Sequence, residues 1–298
     1  MTEDSPDATA SPAPGRAPTV PRRYVGETSQ WVTITRHQLA HYLRSYRFLG
    51  LVGFVLLVSG LTLGFQLIAG VEATRIAQLD KSSEYLSNFL AYIGLWIILA
   101  AAFFGGDALS VDFSTGTGYY MLVLPVRRAT LLAGRYAAAL VVTLGVVLVY
   151  YTVGLVGGSY FFGSAAVAWD SVAYSLAIAV LFSLAALAVA FSISAFFRSP
   201  AAGVLVTLLT IYVGFTTLQG VVELAGFEPW FSLTYAAGAM PTVLDTDFVH
   251  FQRIPLGSDQ YYTLWSANIS EGVLIMAAYL VVFLLLSVWL YQRKESTA

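Results

Sequence analysis

Cysteine is absent from this 298-residue chain, and charged residues make up only 11% of it, against about 25% in a typical soluble domain. The missing cysteine excludes disulfides, thiolate metal sites and cysteine nucleophiles. Hydrophobic residues account for 58% of the chain, which is more apolar surface than one core in water could bury. The composition therefore predicts a membrane protein.

The motifs of the common ATP-binding and hydrolytic sites are also missing. The chain has no G-x-x-x-x-G-K-[ST] phosphate loop, no H-E-x-x-H and no G-x-S-x-G. His37 and His41 stand four residues apart, but two ligands alone make a poor metal site. An enzyme is not expected, and neither is a metal or cofactor in this chain. If the protein moves a solute, a partner supplies the energy.

Six apolar runs of about 20 residues are present, each long enough to cross a hydrocarbon core about 30 Å thick. They lie near 48–69, 86–106, 136–156, 172–197, 201–222 and 272–291. No charged residue falls in the middle of a run, which disfavours a proton-driven carrier and an intramembrane peptidase. The predicted fold is all-α: a polytopic bundle of six transmembrane helices.

The first 28 residues contain five of the ten prolines. This composition predicts a disordered tail over 1–28, ahead of a transmembrane domain over 29–295.

The basic residues indicate the orientation. With six crossings, twelve lysines and arginines fall on the side of the termini and three on the other side. The positive-inside rule therefore places both termini in the cytoplasm. The long outer loop, about 223–271, is acidic, and its apolar part at 229–244 is too short to span and is expected to be re-entrant or interfacial.

Small residues recur four apart in the first span at Gly60 and Gly64. They recur in the fourth span at Ser175, Ala179 and Ser183, and again at Ala186, Ala190 and Ser194. Such ridges allow close helix packing. Two interpretations stay open: packing within one bundle, or a seam between subunits.

An amphipathic helix is predicted before the first span. At about 100° per residue one arc is apolar, and the adjoining arc is basic. This pattern is typical of a helix in the membrane interface, with arginines at the lipid phosphates. A purely anchoring role and a role as a partner's platform both remain open. The residues assigned to this interfacial helix are Trp31, Arg36, Arg44 and Arg47.

The connection between the second and third spans, 107–135, is rich in charged residues and glycine. The second helix is expected to continue past the membrane and carry Asp107 and Asp112 outward. The apolar stretch 119–125 is too short to cross the bilayer and too apolar to stand free in water. It therefore needs a surface on which to dock.

This connection resembles a known family. Asp112-x-x-x-Gly116-Thr117, Pro125-x-Arg127-Arg128 and Gly134-Arg135 are similar to the acid-x-x-x-G-T…P-x-x-R…G-K/R pattern of ABC-2 type transporter permeases. The likeness extends to the interfacial helix and the turn at 196–203. In that family the loop after the second span seats a short cytoplasmic coupling helix in the ATPase subunit. The resemblance implies an ATPase-coupling loop of Asp112, Gly116, Thr117, Tyr119, Tyr120, Pro125, Arg127, Arg128 and Arg135.

The function expected from this resemblance is the permease half of an ABC exporter in the plasma membrane. Its partners would be a soluble ABC ATPase that binds the ATP, a second permease copy or paired permease, and the lipid bilayer. No nucleic-acid partner is expected. The alternative is a non-transporting membrane scaffold or sensor that binds a cytoplasmic partner.

Overall fold

The computed structural model describes residues 26–69, 81–114, 127–245, 248–255 and 261–293. Within these ranges, six helical stretches are long and apolar enough to cross a membrane. The predicted all-α bundle of six spans is therefore confirmed.

The helices begin with an N-terminal helix, Glu27–Leu43, followed by the first span, Tyr46–Ala69. The second span consists of Ser82–Leu90 and Ile93–Gly105, and a short helix, Ser110–Ser114, follows it. The third span is Arg128–Phe162, the fourth Trp169–Phe196 and the sixth Ile269–Arg293. The fifth comprises Pro200–Leu208, a π-helical turn at Leu209–Gly214, and Phe215–Leu224.

The third span differs most from its predicted bounds, because its helix begins at Arg128 and runs for 35 residues. At about 1.5 Å per residue this helix is about 52 Å long, well beyond the thickness of the hydrocarbon core. Apolar length predicts the part inside the membrane. It does not report how far a helix continues on either side.

The fourth span forms the centre of the bundle. In its most apolar stretch 67% of the residues are buried, against 17% in the first, fifth and sixth spans. Its small residues explain this position, because Ser175, Ala179, Ser183, Ala186, Ala190 and Ser194 are all completely buried. This ridge packs within the bundle. By contrast, a Cβ added at Gly60 or Gly64 of the first span would meet nothing within 4 Å.

The connection between the fifth and sixth spans contains two short helices and a β-hairpin. The apolar stretch predicted not to span folds into two short helices, Leu233–Ala237 and Ala239–Thr242. Beyond them an antiparallel hairpin pairs Phe251–Pro255 with Tyr261–Trp265, with Phe251 opposite Trp265. The sequence analysis did not predict this hairpin.

Because the spans alternate in direction, the bundle has two ends. The loop end holds Tyr46, Gly105, Arg128, Phe196 and Pro200, where the chain leaves for the predicted coupling loop. The hairpin end holds Ser82, Phe162, Trp169, Leu224 and Ile269.

Candidate functional site: the loop end of the bundle

The N-terminal helix lies against the third span. A Cβ added at Gly134 would lie 2.7 Å from Cγ2 of Ile34, so glycine permits this close approach. Tyr42 is buried, and its hydroxyl donates a hydrogen bond to the carbonyl oxygen of Phe104 at 3.0 Å. The helix is therefore attached to both the second and the third spans.

The residues assigned to the interfacial helix divide between two elements. Trp31 is 40% exposed, and Arg36 and Arg44 are also exposed. The helix ends at Leu43, however, and Arg47 lies in the first turn of the first span. Arg47 also contacts the bundle, because its guanidinium pairs with the carboxylate of Asp107.

The expectation that the second helix continues and carries Asp107 outward is wrong. The helix ends at Gly105, and the chain turns so that Asp107 is only 5% exposed. Burial raises the pKa of the Asp107 carboxyl, and the neighbouring Arg47 charge opposes that rise. The fold thus buries an acid and supplies one cation to it.

Arg135 is also buried, with 6% of its surface exposed. Its guanidinium donates a hydrogen bond to the carbonyl oxygen of Ala108 at 2.8 Å. The sequence places Arg135 where the third span enters the membrane, but the helix has already begun at Arg128. Arg135 therefore attaches the third span to the chain that leaves the second span.

The fourth and fifth spans hold the same segment. The hydroxyl oxygen of Ser194 accepts hydrogen bonds from the backbone N–H of Leu109 at 3.0 Å and of Ser110 at 3.2 Å. A Cβ added at Gly203 would lie only 2.1 Å from the carbonyl oxygen of Gly106. Two backbones thus touch where the fifth span begins, and only glycine fits there.

The predicted coupling residues lie on both sides of this anchored segment. Asp112 belongs to the short helix Ser110–Ser114. Arg127 immediately precedes the third span and is exposed, and Arg128 is its half-buried first residue. The remaining assigned residues lie outside the described part of the chain: Gly116, Thr117, Tyr119, Tyr120 and Pro125.

Sequence reasoning missed the residues that hold the loop's base. Tyr42, Ser194 and Gly203 each bind or touch the segment 104–110 from a different helix. Ser194 was visible as part of a small-residue ridge, but spacing does not show which backbone a hydroxyl will cap. Such contacts depend on the tertiary fold.

The described residues at the loop end provide mechanical attachment rather than a set of reactive groups. Residues 105–110 are fixed to the first, third, fourth and fifth spans. A displacement of the following loop would act on all of these helices. The class defined by this fold is a multi-pass membrane protein in which the segment that follows the second span is attached to several other spans.

Comparison with known proteins gives the family. A family model described as "ABC-2 family transporter protein" matches residues 81–243, which is more than half of the chain. The chain belongs to this family, as its sequence resemblance indicated. An uncharacterized membrane protein, YdbK of Bacillus subtilis (strain 168), is 25% identical over 240 residues, covering 78% of this chain and 92% of the relative.

Proposed function

We propose that this protein is the permease subunit of an ABC exporter and that a separately encoded ABC ATPase docks on the 107–135 loop. The family supports a permease role with an ATPase partner in general terms. The loop is the proposed docking element, and the proposed location is the cell membrane with both termini in the cytoplasm.

The observation that carries this proposal is the attachment of the loop's base to the bundle. The carboxylate of Asp107 pairs with the first span, and the carbonyl of Ala108 accepts from Arg135 of the third. The amides of Leu109 and Ser110 donate to the fourth. A partner that moves the loop would therefore move several spans together.

In this proposal two permease copies pair, and each docks on one ATPase. ATP binding and hydrolysis occur in the ATPase, and closure of the ATPase dimer pushes the two loops. The bundles then exchange between an inward-closed and an outward-open arrangement. This chain contributes force transmission and a path for the cargo, and no catalytic residue.

Co-purification tests the docking assignment. The full chain is expressed with its ATPase, and the ATPase retained is compared for wild type, Gly116→Pro and Arg128→Glu. Proline fixes φ and removes a backbone donor at residue 116, where the proposed docking segment begins. Glutamate reverses the charge of Arg128, the first residue of the third span and the point at which the chain returns from that segment. We expect each variant to retain at least about tenfold less ATPase, equivalent to about 1.4 kcal/mol of binding free energy.

The matched control is Arg253→Glu, which makes the same charge reversal at an exposed arginine of the hairpin, at the opposite end of the bundle. This variant should retain the ATPase like wild type. Unaltered retention by both loop variants would remove the coupling assignment.

Because the chain has no cysteine, its orientation can be measured without altering a native thiol. Single-cysteine variants Tyr120→Cys and Arg253→Cys are treated with a membrane-impermeant maleimide in intact cells and after permeabilisation. We expect Arg253→Cys to react in intact cells and Tyr120→Cys only after permeabilisation. The reverse pattern would place the loop beyond the reach of a cytoplasmic ATPase.

A further inference from the structure

A cluster of metal-ligating side chains lies at the hairpin end, away from the coupling loop. Glu228 follows the fifth span, His250 precedes the first hairpin strand, and Glu271 is in the first turn of the sixth span. One ligand atom from each of the three residues lies within 4.8 Å of the other two. Three separate chain segments thus bring one imidazole and two carboxylates together.

The imidazole of His250 is held in one tautomer. Its Nδ1 lies 2.9 Å from the carbonyl oxygen of Ser266. A carbonyl can only accept, so Nδ1 carries the hydrogen, and Nε2 of the neutral ring presents a lone pair. The rings of Trp265 and His250 pack in a T-shaped arrangement with centroids 5.5 Å apart. A backbone carbonyl on the second ring nitrogen is the usual arrangement for a metal-binding histidine.

The lone pair of Nε2 faces another acceptor. Oε1 of Glu228 lies 3.7 Å from Nε2, too far for a direct hydrogen bond. This oxygen accepts a hydrogen bond from the Tyr235 hydroxyl at 2.5 Å, which orients the carboxylate. Two acceptors in this arrangement repel unless a cation lies between them or the imidazole is protonated.

Negative charge gathers around the cluster. In the part of the chain that the structure describes, no lysine or arginine pairs with Glu228 or Glu271. A bound cation would supply the positive charge that these two carboxylates do not receive from a lysine or arginine of the described chain.

We propose that Glu228, His250 and Glu271 form a binding site for a divalent transition metal, with Zn²⁺ the best fit. Imidazole with carboxylates suits zinc, whereas calcium and magnesium prefer oxygen ligands alone. Zinc bonds of about 2.0–2.2 Å place tetrahedral ligand atoms about 3.4 Å apart, close to the separation of Nε2 and Oε1. A fourth position remains for water.

The ion would connect the exit of the fifth span, the hairpin and the start of the sixth span. This consequence is independent of the ATPase and of transport. Metal binding can therefore be present or absent whatever the outcome of the docking experiments.

Zinc titration of the purified full chain tests the site. The protein carries a tag without histidine, and calorimetry with ZnCl₂ is combined with metal analysis after gel filtration. We expect about one Zn²⁺ per chain, as the three ligands define one site. His250→Gln, Glu228→Gln and Glu271→Gln should each weaken binding by at least about tenfold, since even supporting residues of metal sites have effects of this size.

The control variants remove the same residue types elsewhere. The chain has three histidines, so a His37→Gln and His41→Gln double variant keeps only His250 and should bind zinc like wild type. Glu84→Gln is the control for the glutamate substitutions. Glu271 is exposed, so its substitution tests the site with the least risk to folding, which gel filtration monitors.

The proposal is overturned if wild type shows no saturable zinc binding, or if Glu271→Gln binds as tightly as wild type. Loss of binding in the His37 and His41 double variant would assign the zinc to the N-terminal helix instead. Displacement of zinc by an equal concentration of Ca²⁺ would also contradict the assignment of a transition-metal site.

Discussion

The two ends of the bundle treat their carboxylates in opposite ways. At the loop end, Asp107 is 5% exposed and is paired with Arg47. At the hairpin end, Glu228 and Glu271 converge with His250, and within the described chain neither has an arginine or lysine partner. The charge of a buried acid with an arginine partner is balanced within the chain. Two acids that converge on an imidazole without a lysine or arginine partner are the basis of the proposed metal site.

The largest effect on stability is expected from a substitution that disrupts a contact between two backbone segments at the loop end. Gly203→Ala places a Cβ 2.1 Å from the carbonyl oxygen of Gly106, so the fifth span must move away from the turn that follows the second span. We expect a loss of about 1–3 kcal/mol of unfolding free energy, as for overpacked cores. The measurement is the midpoint temperature of unfolding in detergent.

The matched substitution is Gly60→Ala in the first span, where the added Cβ meets nothing within 4 Å. Alanine is the better helix former by about 0.5–1 kcal/mol, so the midpoint should stay equal or rise slightly. Equal losses in both variants would contradict the contact between Gly106 and Gly203.

The second test removes the cation from the buried pair. Arg47→Gln leaves the Asp107 carboxylate buried without its charge partner, and we expect a loss of about 1–3 kcal/mol at neutral pH. Asp107→Asn should cost less, because the Arg47 side chain is 55% exposed and stays hydrated. Thermal unfolding of the two variants side by side decides the order.

The pH dependence of Arg47→Gln gives a further check. Burial raises the pKa of Asp107 above its unfolded value, which is about 4, so the folded chain takes up this proton first. Stability from this residue is then fully present at low pH and is lost as the pH rises through the folded pKa. Removing Arg47 raises that pKa further, so the defect should be smaller at pH 5 than at pH 8. A defect independent of pH would exclude the charge as its cause.

The smallest effect is expected at the hairpin end. Tyr235→Phe removes the hydroxyl that donates to Glu228, but the Glu228 side chain is 28% exposed and water can replace the donor. We expect a loss of about 0.5–1.5 kcal/mol, the net value of an ordinary hydrogen bond. Unfolding midpoints measure it, and a loss larger than that of Arg47→Gln would reverse the contrast between the two ends.

The spans could be predicted because apolar length is a local property of the sequence. The stretch from Ile269 to Arg293, for example, contains the whole of the predicted sixth span. The inward turn of Asp107 could not be predicted, because its partner Arg47 lies 60 residues earlier in the chain, with two spans between them. The hairpin was missed since its two strands of five residues lie in a region interpreted only by hydropathy.

The same limit applies to the candidate sites. Arg127 and Arg128 were visible as a basic pair that follows a proline in the sequence. Glu228, His250 and Glu271 are far apart along the chain, and only the fold places their ligand atoms within 4.8 Å. Motif spacing detects a site within one segment and cannot detect one that three segments build.

The uninterrupted third span has a consequence for the scale of any conformational change. Its 35 residues from Arg128 to Phe162 form one rod about 52 Å long. A tilt of about 5° at one end of such a rod displaces the other end by about 4.5 Å, roughly the radius of a packed helix. A small rotation of the third span about its loop end would therefore appear at its hairpin end as a shift of nearly half a helix width.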